Sequence, residues 1–227
     1  MAQHKGILCH VTSLPNGLED AEKFIDYICD YGASLWQVLP ITPPDEHGSP
    51  YASPSAFAAW DSLGQSKSES MGAESYWLKD WLLFEALKLK FDGKPWHEWP
   101  RKYRDRDADS LAEIEVDETA QAQFMGRWKE IRDYAKSKNV SLIGDLPIFV
   151  GHDSADVWAH RELFLLDEKG MPQVVAGVPP DYFSKKGQRW GTVHYNWDAH
   201  RKEKWRWWKE RMARMMRLFD TVRIDHF

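Results

Sequence analysis

The chain has 227 residues, 43% apolar and 29% charged, with a formal charge of −5. That size and balance describe a globular domain, or one domain with an insertion, and exclude a disordered polymer. The negative charge leaves no footprint for nucleic acid and no reason for an anionic substrate, so a neutral small molecule or neutral polymer fits best.

Gly6 to Thr12 is a short β-leaning apolar run that ends in a Ser-Leu-Pro-Asn-Gly turn, and it reads as a strand. Leu18, Ala21, Ile25 and Ile28 then recur on one helical face, and Gly32 stops that helix. Ser34 to Leu39 is a second buried strand closed by Pro40. Strand, helix, strand at this spacing is a βαβ unit, which implies a parallel sheet covered by helices. The rhythm then breaks for about a hundred residues. Within them, Trp77, Trp81, Phe84, Leu87 and Phe91 mark one helix, and Phe124, Trp128, Ile131 and Ala135 mark another. Gln65 to Ala73 reads as a loop, and Asp105 to Asp117 as a solvated connection. The expected domain plan is 1–59 for strands one and two, 60–118 for a helical insertion, and 119–227 for the continuation through strand four.

Ser141 to Val150 is the third strand. Gly151 to Trp197 follows as a long Gly- and Pro-rich loop, of a length that is usually functional. His200 to Phe219 reads as one helix with Trp205, Trp208, Met212, Met215 and Phe219 packed on a sheet and a basic outer face in solvent. Thr221 to Phe227 is the fourth strand. Four strands alternating with helices, read as parallel, predict half of a (β/α)₈ TIM-type barrel, an α/β fold; a doubly wound open sheet is the alternative. No glycine-rich turn follows the first strand, so a dinucleotide site has no support.

The remaining signals are negative or general. Cys9 and Cys29 form no CxxC pair, and a reducing cytosol is the default compartment. Met1 to His10 carries no signal-peptide pattern, and no stretch of 18 apolar residues predicts a membrane span. The histidines show no metal-ligand spacing. Thirteen tryptophans exceed ordinary use, and core packing accounts for most of them, with sugar stacking open to the rest.

Barrel enzymes carry their working groups at the C-terminal ends of strands. That rule selects Asp145 on the third strand, and Arg223, Asp225 and His226 on the fourth. Arg223 and Asp225 alternate to the same face. A guanidinium beside a carboxylate keeps it ionised, as a glycosidic nucleophile must be. The same pattern also fits a plain buried Arg–Asp ion pair.

Eight blocks resemble the amylomaltase (4-α-glucanotransferase) family, a relative of the α-amylases: GILCHVTSLP, SLWQVLPITP, SPYASPSAFA, YWLKDWLLFEALK, DGKPWHEWP, IGDLPIFV, AGVPPDYFSKKGQRWG and VRIDHF. They span nearly the whole chain in the family's order. The resemblance implies a (β/α)₈ barrel with a helical insertion after strand two and no cofactor. It implies transfer of α-1,4-glucan segments between maltooligosaccharides, with retention of configuration. By position, Asp225 matches the nucleophile and Arg223 the arginine that holds it. His226 matches a residue lining the donor sugar site, and Asp145 a carboxylate near it. Tyr51 matches the aromatic platform under that sugar, with Ser49 beside it. Gln188 and Trp190 match the loop that covers the cleft.

Several features depart from the family. Asn16-Gly17-Leu18-Glu19 is a short first loop, Ala59-Trp60-Asp61 stands where Gly-Asn-Pro is common, and Thr192-Val193-His194 replaces Asn-Pro-Leu. The family's general acid follows strand five and a further aspartate follows strand seven. The chain is therefore expected to be an N-terminal portion, inactive alone, whose partners are an α-glucan donor and acceptor and a complementary C-terminal half. The competing reading is a non-catalytic glucan-binding or split-subunit half-barrel. Neither reading calls for a membrane, nucleic acid or metal.

Overall fold

A computed structural model describes residues 4–180, 182 and 184–226. Met1 to Gln3, Asp181 and Phe183 of the AGVPPDYFSKKGQRWG block, and Phe227 of the fourth predicted strand lie outside the described residues.

Strand β1 is Gly6–Leu8, shorter than expected because the chain tightens into a 3-10 turn at Val11–Ser13. A second 3-10 turn, Gly17–Asp20, leads into α1, Ala21–Asp30, whose Ala21, Ile25 and Ile28 are buried. Gly32, at φ 71°, ends α1. The Gly32 N–H donates to the Cys29 carbonyl at 2.8 Å and the Ala33 N–H to the Ile28 carbonyl at 2.9 Å, so two orphan carbonyls are satisfied in a Schellman motif. Strand β2, Leu35–Gln37, follows; its Trp36 is fully buried and donates to the Cys9 carbonyl at 2.8 Å.

Between β2 and β3 lie α2 (Ser75–Lys90), α3 (Arg101–Arg104), α4 (Ala108–Ala112) and α5 (Thr119–Ser137). The stretch read as a solvated connection thus holds α4, started by Asp107, whose carboxylate caps the Ser110 N–H at 2.9 Å. Aromatic residues of α2 share one apolar core with Trp36, Trp128 and Leu146. Eight of the thirteen tryptophans are buried, so core packing is their main use.

Strand β3 is Ser141–Pro147, and after only two residues the chain enters β4, Val150–Gly151. Then come α6 (Ala155–Ala159), β5 (Val175–Val178), β6 (Gln188–Val193), α7 (Trp197–Lys202), α8 (Arg206–Leu218) and β7 (Thr221–Asp225). The strands β1-β2-β3-β7 form a parallel sheet in chain order. A doubly wound sheet needs a reversal of strand order, and none occurs among these four.

Three expectations need correction. Residues 151–197 are not an irregular loop: β5 and β6 pair antiparallel, and with β4 they make a second sheet of order β4-β6-β5. Its strands are short and interrupted by glycine, which masked the alternation. The expected helix at 200–219 is two helices. Lys204 and Trp205 sit in the left-handed region at φ 59° and 60°, and the Trp205 N–H closes α7 on the His200 carbonyl at 2.8 Å. Nor is the basic face of α8 wholly solvated, because Arg211 and Arg214 are buried. Arg214 pairs with the buried carboxylate of Glu74 and donates to the Phe57 carbonyl at 3.0 Å, partners far away in sequence.

Candidate functional site

The site is assembled from three chain segments at the C-terminal ends of β2, β3 and β7. The first is the turn Asp45–Ser49. One Asp45 carboxylate oxygen accepts the His47 N–H at 2.9 Å and the Ser49 N–H at 2.8 Å. Gly48, at φ 80°, lets the turn close, and its N–H reaches the Asp45 carbonyl at 3.0 Å. Ser49 Oγ then accepts the Tyr51 N–H at 3.3 Å and caps a 3-10 turn at Pro50–Ala52. This chain of local bonds sets the direction in which Tyr51 points.

The second and third segments are neighbouring strands. Their register pairs Asp145 with Arg223 and Pro147 with Asp225. Aligned parallel residues share a face, so Asp145, Arg223 and Asp225 emerge on the same side. The Tyr51 hydroxyl donates to Asp145 at 2.8 Å. Arg223 Nη1 donates to both Asp145 oxygens at 2.8 Å each, and Nη2 donates to Asp225 Oδ1. One guanidinium therefore holds two carboxylates.

Electrostatics follow from that geometry. Burial raises the Asp145 carboxyl above the ordinary aspartate range, although the Tyr51 hydroxyl and Arg223 pull against it. Burial, then the bond to Asp145, pushes the Tyr51 phenol up to about 12, so it remains a donor at neutral pH. Desolvation works against the charge on Arg223, but Asp145 and Asp225 outweigh it and hold the guanidinium more firmly protonated.

Above this network opens a cleft of about 370 Å³, lined among others by Ser49, Tyr51, Phe149, Trp190, Asp225 and His226. Strand β6 delivers Trp190, whose ring meets the His226 ring edge-on at 4.3 Å. His226 itself is left-handed at φ 63°, which turns the chain at the end of β7. Gln188 does not line the cleft; it is exposed and accepts from the Trp190 indole at 3.0 Å. Asp145 and Arg223 lie beneath Tyr51 and Asp225 rather than on the wall. Ser49, Tyr51, Trp190, Asp225 and His226 are brought together. The cleft residues that sequence reasoning missed include Asp45, Phe149 and Thr192. Of these, only Asp45 had a readable signal, the Asp-x-x-Gly-Ser turn pattern.

The arrangement can bind a neutral ligand between aromatic surfaces with an oriented carboxylate at its floor. Among the described residues no group of three His, Cys, Asp or Glu side chains is placed to hold a metal ion, and no helix is long and apolar enough to cross a membrane.

The family profile described as 4-alpha-glucanotransferase matches residues 9–63 and 61–227. The 4-alpha-glucanotransferase of Aquifex aeolicus is 35% identical over 98% of this chain and 59% of its own length. That of Thermus thermophilus is 36% identical over 98% and 58%. Among solved structures, an amylomaltase from Streptococcus agalactiae in complex with acarbose superposes with a TM-score of 0.87 at 30% identity, covering all of this chain and 60% of the other. An α-amylase from Lactobacillus plantarum, at TM-score 0.55 and 14% identity, shares the fold alone. The chain thus spans roughly three-fifths of the length of these glucanotransferase relatives. On the profile match and these identities, the chain belongs to the 4-alpha-glucanotransferase family.

Proposed function

We propose that this chain carries the nucleophile side of a retaining 4-α-glucanotransferase, with Asp225 as nucleophile. The observation that carries the reading is the Arg223-held carboxylate of Asp225, at the end of β7 and open to a cleft walled by Tyr51 and Trp190. Asp225 attacks the anomeric carbon of an α-1,4-glucan. A covalent glycosyl-enzyme forms, and the displaced 4-oxygen leaves with a proton from a general acid. The 4-hydroxyl of an acceptor glucan then reverses the step, so configuration is retained.

Tyr51 is the platform under the donor sugar, with Ser49 fixing its turn. His226 lines the same sugar, and Asp145 and Arg223 hold the nucleophile from below. Trp190, braced by Gln188 and His226, covers the cleft. It favours a sugar acceptor over water by excluding solvent from the covalent intermediate. The acarbose complex of the Streptococcus agalactiae relative supports an α-glucan as the ligand class. The in-order parallel strands support a (β/α)₈ barrel of which β1, β2, β3 and β7 are the first four strands, with 60–118 as its helical insertion.

The general acid of a retaining pair stands about 5–5.5 Å from the nucleophile. As the family resemblance implies, we expect it after a fifth strand, and we propose that the 227 residues alone do not catalyse transfer. The test is Asp225→Asn in the full-length protein, assayed by the ladder of products from maltotriose. Transfer should fall by at least about 10³-fold, the scale seen when a nucleophile is removed. Retained transfer would remove Asp225 from the mechanism.

A further inference from the structure

Arg211 is an unusual buried cation. It is 3% exposed, yet among the described residues it bonds no carboxylate. Its Nη2 donates to the Pro147 carbonyl at 2.6 Å, and its Nη1 donates to the Ile148 carbonyl and the Tyr195 hydroxyl at 3.2 Å each. The guanidinium lies 5.3 Å from the ring centres of both Trp207 and Trp208. A charge taken out of water needs dipoles or counter-charges in its place. Here neutral oxygens and two ring faces meet it directly, and the buried Asp156 carboxyl interacts with its charge through space without a direct bond.

Those oxygens are placed where they matter. The Tyr195 hydroxyl, itself buried, donates to the same Ile148 carbonyl at 2.6 Å. The Ile148 N–H donates to the backbone carbonyl of Asp225 at 3.3 Å. The peptide on one side of Ile148 is thus pinned by Arg211 and Tyr195, while the other side holds the main chain of Asp225. Pro147, the second acceptor of Arg211, is also the register partner of Asp225 across the sheet.

We infer that Arg211 and Tyr195 are positioning residues that fix the backbone of Asp225 from behind the sheet, through Ile148. Arg223 sets the direction of the Asp225 side chain; this second clamp sets the place of its Cα. The inference rests on the reading of Asp225 as the nucleophile. A clamp of this kind acts on the reacting geometry and leaves the sugar-binding wall of Tyr51 and Trp190 in place. Its loss therefore lowers kcat and spares KM.

The experiment compares Arg211→Lys, Tyr195→Phe and Asp225→Asn in the full-length protein, by steady-state maltotriose disproportionation. Tyr195→Phe removes one oxygen from a packed ring, so it reports even if the Arg211 variant folds poorly. For the first two variants kcat should fall about 10–100-fold, the scale of a small misplacement of a reacting group, with KM within about twofold. If both keep kcat within about twofold, or raise KM alone, while Asp225→Asn is inactive, the clamp is refuted and the nucleophile assignment stands. If Asp225→Asn still transfers, the functional reading itself fails.

Discussion

Arg223 donates to both carboxylate oxygens of Asp145 from a single nitrogen, at 2.8 Å each, across two neighbouring strands. That leaves its other terminal nitrogen for Asp225. Asp145→Asn keeps the shape and removes the charge that anchors the guanidinium. We expect kcat for maltotriose disproportionation to drop about 10–100-fold as Arg223 loses its fixed direction. Arg223→Lys, with a point charge in place of a planar fork, should fall in the same range. Wild-type kcat in both variants would show that the carboxylate pair needs no such bridge.

Tyr51 has two separable parts. Its hydroxyl bonds Asp145, and its ring faces the cleft. Tyr51→Phe removes the first and should cost roughly tenfold in kcat/KM, about the worth of one hydrogen bond to a charged group. Tyr51→Ala removes the ring as well and should cost at least about a further tenfold, mainly in KM. Equal losses in the two variants would assign the whole effect to the hydroxyl.

Helices α1 and α5 are joined by Arg127, which meets Glu22 at 2.6 and 2.7 Å and the Leu18 carbonyl at 2.6 Å. The pairing with Arg127 lowers the Glu22 carboxyl below its ordinary value of 4.5, against the opposing effect of burial. The folded state therefore prefers the ionised carboxylate. Its contribution is complete above the ordinary value and is lost as pH falls through the lowered one. Glu22→Gln should destabilise the protein by about 2 kcal/mol at pH 7 in urea unfolding. The gap from wild type should shrink towards zero in acid; a gap independent of pH would contradict this account.

Gly126 lies inside α5, where alanine normally stabilises a helix by about 1 kcal/mol. Here a Cβ would run into the backbone carbonyl of Lys67. Backbone cannot swing aside as a side chain can, so Gly126→Ala should destabilise by about 2 kcal/mol despite the propensity gain. A raised thermal midpoint would show that the 67 loop yields freely.

The parts of the fold that sequence made legible are those with short-range causes. Gly32 stopped a helix whose buried face repeats at 21, 25 and 28, and four apolar runs became four parallel strands. The Arg223–Asp225 alternation also carried through to a real contact. What escaped depends on distant partners. Nothing near Arg211 or Arg214 announces that carbonyls at 147 and 148, or Glu74, will receive them, so a buried face looked solvated. The turn at Lys204 and Trp205 uses residues with no special tolerance for positive φ, and the β4-β6-β5 sheet is too short and glycine-rich to show alternation. At the site, Phe149 and Thr192 carried no chemical signature and reached the cleft only through the β3–β4 connection and strand β6.

Only Ile148 and Phe149 separate β3 from β4, so the two sheets are joined at a short seam there, and they touch again where Trp190 of β6 meets His226 just past β7. Strand β6 joins that seam at Val193, while its other end, at Gln188, turns back to β5 roughly 17 Å away along the strand. Drift at that remote tip can lengthen or re-dress the hairpin without disturbing the seam. On the function proposed above, preference for long or short glucans can thus diverge between descendants while the proposed reaction centre is inherited intact, a division of labour that makes the fold readily evolvable.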